Sequence, residues 1–227
     1  MLILQIETAT TCCSAALSEN GKTIAVQELN ERNIHASSTT LFIEEVMRQA
    51  GKAMKDLSAV AVSKGPGSYT GLRIGVSTAK GLCYALDIPL IAVNTLQAMA
   101  AGMISIKPDE NALYCPMIDA RRMEVYTGVW DASGREVWPT EAKIIDESSF
   151  SSILEKNKMI FFGDGALKCE PVLGPHPNAV TVPDFVNSAA WLTVPAYHKF
   201  LKKDFEDTAY FEPFYLKDFL VKKQQSA

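Results

Sequence analysis

Three carboxylates in this chain stand where metal-assisted phosphate chemistry could use them. Glu7 closes the apolar run that starts at Leu2, Asp119 follows the run Ala112 to Ile118, and Asp164 sits in the turn Gly163-Asp164-Gly165-Ala166. Thr8, Thr10 and Thr11 come directly after Glu7 and offer hydroxyls. Carboxylate oxygens suit a hard cation, and hydroxyls with turn amides suit phosphate. The spacing fits two lobes closing on a nucleotide; the competing reading makes all three carboxylates surface or turn residues without chemistry. Two imidazoles sharing one metal from one helix face must lie four residues apart. His35, His176 and His198 do not. Ser68 and Thr70 have no G-x-S-x-G turn around them to present a nucleophile, so they read as caps for the helix that follows.

The stretch Gly65 to Leu82, GPGSYTGLRIGVSTAKGL, is a tight loop opening into a helix. Gly65, Gly67 and Gly71 permit close backbone approach and Pro66 stiffens the turn, so Gly65-Pro66-Gly67-Ser68-Tyr69-Thr70-Gly71 is a built loop. It is no Walker A motif, because Leu72 and Arg73 stand where Lys and Ser/Thr would be needed. On spacing alone its glycines serve chain reversal and packing. In the helix, Gly71, Gly75 and Ala79 recur every four residues, giving one face small enough for another helix to approach closely.

The elements that position these residues follow from periodicity. Strands are expected at Leu2–Glu7, Ser14–Ser18 and Ile24–Leu29, with a polar turn Thr8–Cys13. An amphipathic helix capped by Ser37 or Ser38 runs to Gly51, with Leu41, Ile43, Val46, Met47 and Ala50 apolar. Leu57–Ser63 is a strand, Leu72–Leu86 a helix, Ile88–Val93 a strand, and Thr95–Ile106 a helix begun by Asn94. The polar segment 107–111 marks a boundary between a first unit, residues 1–108, and a second, 109–227. There the pattern restarts: strands Ala112–Ile118, Glu124–Trp130 and Glu136–Trp138, a short helix after Gly163–Ala166, and a strand Asn178–Val182. Ser188–Phe200 is helical in pattern, with Pro195 kinking it or opening its second half. This last helix and the tail are expected to pack back on the first unit, with Lys222–Ala227 frayed.

With 48% hydrophobic and 21% charged residues, 227 residues can bury a proper core. A net charge of −4 supplies no field that would draw the chain onto RNA. No basic leader or membrane-length apolar run is present in these residues. The five cysteines include an adjacent pair and no CxxC spacing, which fits buried reduced thiols in a cytoplasmic protein.

The glycine loop, the opening LILQIETATTCCSAAL, the segment around His35, IDARRMEVYTGVWD, FFGDGALK and EPFYLKDF together resemble the TsaB family, over nearly the whole chain. That resemblance implies an α/β, two-lobed actin-like ATPase fold of ribonuclease H-like type, each lobe a mixed sheet flanked by helices. It implies a non-catalytic subunit supporting TsaD in the ATP-dependent threonylcarbamoylation of tRNA adenosine. TsaE, a P-loop ATPase, would join the pair; the chain alone would form a homodimer, and tRNA would be met only through the complex. No catalytic residue and no metal site is expected here, since TsaD's His-x-x-x-His is missing; ATP and a metal belong to the complex. Glu7, Thr8, Thr10, Asp119, Gly163, Asp164 and Gly165 would be vestiges of the nucleotide site. Family members usually carry Asp at the position of Glu7. The partner interface is expected at His35, Leu41, Glu45, Arg48, Gly71, Gly75, Thr78 and Leu82. The alternatives are an actin-like small-molecule kinase or ATPase and, third, a protease using Ser68 or Thr70.

Overall fold

Six consecutive buried residues make β1 (Leu2–Glu7) a central strand rather than an edge, and its alternation sends Leu2, Leu4 and Ile6 to one face and Ile3, Gln5 and Glu7 to the other. In the computed structural model, which describes residues 1–217, β1 is flanked by β2 (Cys12–Glu19) and β4 (Ala59–Gly65). Outside them lie β3 (Lys22–Asn30) and β5 (Leu90–Asn94), giving the order β3-β2-β1-β4-β5. The first three strands are antiparallel and the β1-β4-β5 pairings parallel.

The second half builds the same sheet again. β6 (Ala112–Asp119), β7 (Glu124–Trp130), β8 (Glu136–Ile144), β9 (Lys158–Phe162) and β10 (Ala179–Val182) take the order β10-β9-β6-β7-β8, with matching strand directions. The duplication read from the sequence is therefore a duplication of topology. Two five-stranded mixed sheets flanked by helices are the two-lobed actin-like architecture expected.

Helices cover both faces of the first sheet. α1 (His35–Gln49) and α2 (Tyr69–Leu86) bury Ile43, Val46, Met47, Val76, Ala79 and Cys83 on Leu4, Ile6, Val60 and Val62. The opposite face, Ile3, Ala59, Ala61, Ile91 and Val93, is closed by Ala98 of α3 (Thr95–Ile106), by Leu192 and by Ala196 of α6 (Thr193–Leu201). α3 also turns Leu96, Met99, Ala100 and Met103 onto Tyr114, Ile118, Ile160 and Phe162 of the second sheet, so one helix is shared by both lobes. The second sheet's far face packs on α5 (Ala166–Leu173) and on Phe150 and Leu154 around α4 (Ser151–Leu154).

Several expected boundaries moved. α1 begins at His35 itself with no side-chain cap, and the Ser37 hydroxyl donates backward to the Ile34 carbonyl. β2 starts at Cys12, inside the expected turn. β8 runs on to Ile144 through Pro139, which an edge strand tolerates because one side of it needs no N–H donor. α4 and β9 were not expected, since short runs carry too little periodicity. The 188–200 stretch is a 3₁₀ turn, Ala189–Leu192, followed by α6 with Pro195 in its first turn. The polar tail at Lys222–Ala227 lies outside the described residues. All five cysteines are buried and unpaired, and burial pushes the Cys12 and Cys115 thiols up to about 12. No helix among the described residues is long and apolar enough to cross a membrane.

Candidate functional site

The glycine loop approaches the chain itself. A Cβ at Gly67 would overlap the Ala9 carbonyl, one at Gly71 the Thr8 carbonyl, and one at Gly65, whose φ is 116°, the Phe214 carbonyl. Hydrogen bonds fill the same space: the Ser68 N–H donates to the Ala9 carbonyl at 2.7 Å, the Thr8 hydroxyl to the Gly71 carbonyl at 2.8 Å, and the Phe214 N–H to the Lys64 carbonyl at 2.7 Å. The Ser68 hydroxyl caps α2 by accepting from the Gly71 N–H at 3.2 Å. The Tyr69 and Tyr215 rings pack in a tilted pair with centroids 4.9 Å apart, and Arg73 lies over the Tyr69 ring. Pro66 is buried and Thr70 exposed. The loop is thus a clasp joining the β1–β2 turn to a segment that returns from the far end of the chain.

Glu7 is fully buried behind that turn. One carboxylate oxygen accepts from the Ala9 N–H at 2.6 Å. The other, together with Ser63 Oγ, Thr95 Oγ1 and Asn187 Nδ2, has no hydrogen-bond partner among the described residues. Burial pushes Glu7 up to about 7, against the smaller downward pull of the Ala9 N–H and of the Ser63 and Asn187 side chains, which stand beside it without completing a bond.

Between the lobes a cavity of about 30 Å³ is lined by Thr10, Thr11, Asn30, Met99, Asp164 and Asn187, with Gly163 at its wall. Its size admits a water molecule. Asp164 accepts from the Asp119 N–H at 3.0 Å. Burial first, then the neighbouring Asp119 charge, raise the Asp164 carboxyl. Asp119 is also pushed up by burial, but its Lys168 ion pair and the Arg121 N–H outweigh this and hold it below the usual carboxylate range. Gly163, at φ 97°, and Gly165 are pressed against Met117, Val125 and Ile118 of their own sheet. The structure thus brings Thr10 and Asp164 to one cavity, with the Asp119 N–H on Asp164, buries Glu7 beside the Asn187 that lines the same cavity, and uses both turn glycines for packing. Among the described residues no three of His, Cys, Asp or Glu are grouped to hold a metal ion. A protease reading finds the Ser68 hydroxyl engaged as a cap.

The expected partner interface divides into an inner and an outer set. Gly71 and Gly75 are buried and face the β1–β2 turn, the latter against Thr8 Oγ1. His35 is buried as well, with Nε2 2.9 Å from the Thr10 carbonyl, so it ties α1 to the β1–β2 turn. A helix repeat of small residues says that one face is narrow; here the sheet and turn occupy that face. Leu41, 58% exposed, and Arg48 point outward, Thr78 and Leu82 are half-buried, and Glu45 accepts both Arg48 donors at 2.8 and 2.7 Å. Arg48 holds Glu45 down at about 2. Sequence reasoning did not single out Arg73, Ser77, Gly81 and Tyr84, which with Thr70 and Ala85 are the exposed positions of α2, Tyr84 being 88% exposed. The available signal was Gly81, a mid-helix glycine with nothing within 4 Å of where its Cβ would be.

Residues 28–153 match the family model described as TsaD: tRNA N6-adenosine threonylcarbamoyltransferase. The tRNA threonylcarbamoyladenosine biosynthesis protein TsaB of Escherichia coli is 36% identical over 141 residues, 62% of this chain and 60% of that protein. Its namesake from Bacillus subtilis is 38% identical over 130 residues, 57% of this chain and 55% of the relative. The chain therefore spans between about half and three fifths of the length of these curated relatives. A Pseudomonas aeruginosa crystal structure, described as an uncharacterized protein with similarity to peptidase YEAZ, superposes with a TM-score of 0.84 at 23% identity, covering 95% of this chain and 99% of that one. This last likeness speaks for the fold.

Proposed function

Since the chain belongs to the TsaB (YeaZ-like) branch of the TsaD family, we propose that it serves tRNA threonylcarbamoyladenosine biosynthesis as a non-catalytic subunit. It docks a TsaD transferase through the outer face of α1 and α2. TsaE joins that pair, ATP and the metal belong to the complex, and the chain pairs with itself when TsaD is missing. The observation that carries the reading is the contrast between two surfaces. The cavity between the lobes offers only about 30 Å³, while Leu41 of α1 and Arg73, Ser77, Gly81 and Tyr84 of α2 are exposed. Tyr and Arg over a flat, small-residue stretch is the composition of binding hot spots.

The test is co-purification with the TsaD from the same genome, sized by light scattering. Gly81→Arg is the informative variant: it adds bulk on the outer face where nothing stands in the way. It also replaces a mid-helix glycine, which should raise stability by about 0.5–1 kcal/mol. We expect wild type to form a mixed complex, and Gly81→Arg to lose it while melting no lower than wild type. A Gly81→Arg chain that still binds TsaD at wild-type strength would remove α2 from the interface, and a wild-type chain that ignores TsaD would end the scaffold reading.

A further inference from the structure

The hairpin joining β6 to β7 ends in two arginines, and both take left-handed backbone angles, φ 71° at Arg121 and 50° at Arg122. Glycine and asparagine adopt such angles readily in tight hairpins; long side chains do so at a cost in strain. The tip is held there by the Glu124 N–H on the Arg121 carbonyl at 3.1 Å, the Ala120 N–H on the Glu124 carbonyl at 3.1 Å, and the Arg121 N–H on Asp119 Oδ1 at 2.9 Å. Both side chains are exposed; Arg121 acts on Asp119 and Tyr126 through its charge alone, and among the described residues neither guanidinium has a hydrogen bond or a close ion pair. The neighbouring cations are already engaged. Lys168 binds Asp119 and the Glu124 carbonyl, and Lys217 binds the Glu124 carboxylate and lies over the Tyr126 ring. The tip follows directly on Asp119, whose N–H reaches Asp164, a residue lining the cavity with Thr10 and Thr11.

We propose that Arg121 and Arg122 are a phosphate clamp for the backbone of an RNA strand lying across the mouth of the cleft. The inference rests on the reading above, in which the assembled complex brings the RNA. Two adjacent guanidinium forks match phosphodiester oxygens, which a point-charge ammonium grips less specifically. The cavity behind the tip, about 30 Å³, cannot accept a base, so the ligand crosses the mouth instead of entering it. A chain of net charge −4 repels RNA at large, so this contact adds to binding already established by a partner.

The test measures tRNA affinity of the complex between this chain and TsaD over a range of KCl concentrations, with light scattering confirming assembly. The Arg121→Gly/Arg122→Gly double variant should assemble normally and melt at or above wild type, because glycine relieves the turn. Its tRNA affinity should fall about tenfold at low salt, and log K should depend on log[KCl] with a slope shallower by about 1–2. Arg121→Lys/Arg122→Lys should keep most of that slope. Normal assembly with wild-type affinity and slope in the glycine variant would overturn the clamp and leave the scaffold reading standing. No mixed complex from the wild-type chain would instead sink the scaffold reading, and the clamp with it. Equal competition by free AMP would reassign the tip to free phosphates, and equal competition by poly-glutamate to an acidic protein.

Discussion

Gly75→Arg is expected to unfold the first lobe. A Cβ at this position already overlaps Thr8 Oγ1, the hydroxyl that donates to the Gly71 carbonyl and fixes the β1–β2 turn on α2. An arginine there adds a long chain and a charge to the space between the helix and the turn. Overpacking alone costs about 1–3 kcal/mol, and an unpaired buried charge takes the total beyond about 4 kcal/mol. Thermal unfolding followed by circular dichroism reads this directly, with Gly81→Arg from the same helix as the folded control. A Gly75→Arg chain that melted within about 2 °C of wild type would show that the turn is not packed as described; at 227 residues such a shift corresponds to less than about 1 kcal/mol.

The second large effect concerns pH. Glu7 has a folded pKa near 7 against 4.5 when free, so the folded chain holds its proton more tightly than the unfolded one. Below about pH 4.5 both states are protonated and Glu7 costs nothing. Between 4.5 and 7 the unfolded state loses its proton first, and stability falls as pH rises. Above 7 both are ionised and the full penalty, about 3 kcal/mol, is present. Glu7→Gln removes this titration and supplies an amide N–H that can serve the unpaired Ser63 hydroxyl. The variant should match wild type near pH 4.5 and exceed it by roughly 2–3 kcal/mol at pH 8. Unfolding free energies that stay parallel across this range would mean that Glu7 titrates normally.

The sequence carried a good part of this molecule, and what it missed has physical reasons. α3 ran over the expected residues because Asn94 is a strong cap, its side chain accepting from the Leu96 and Gln97 N–H groups at 2.9 and 3.2 Å. The repeated strand pattern around Glu7 and Asp119 pointed to a duplicated α/β unit of open topology, and the family resemblance supplied the two-lobed fold that the two matching sheets bear out. Five-residue β9 and four-residue α4 escaped because neither is long enough to show a period. The interface set was mixed because spacing four apart groups Gly71, Gly75 and Ala79 on one face without saying what covers it. Periodicity ranks the faces of a helix, and only the third dimension shows that the Thr8 turn packs against Gly71 and Gly75. Glu7 was legible as a special carboxylate by its place at a strand end, but its complete burial depends on β1 lying at the centre of the sheet, which its own six residues do not show.

The covering of the first sheet by α6 has a consequence for how the chain comes off the ribosome. Ile3, Ala59, Ala61, Ile91 and Val93 have all emerged when Leu192 and Ala196, which close over them, are still about a hundred residues away. At roughly 5–20 residues per second the gap lasts about 5–20 s. During that interval the nascent first half presents an apolar sheet face with only part of its cover. The clasp at Phe214 closes later still. Synthesis of this chain therefore passes through a window of chaperone dependence that the finished protein conceals, and a stop codon placed after α3 should yield an insoluble fragment instead of a free-standing lobe.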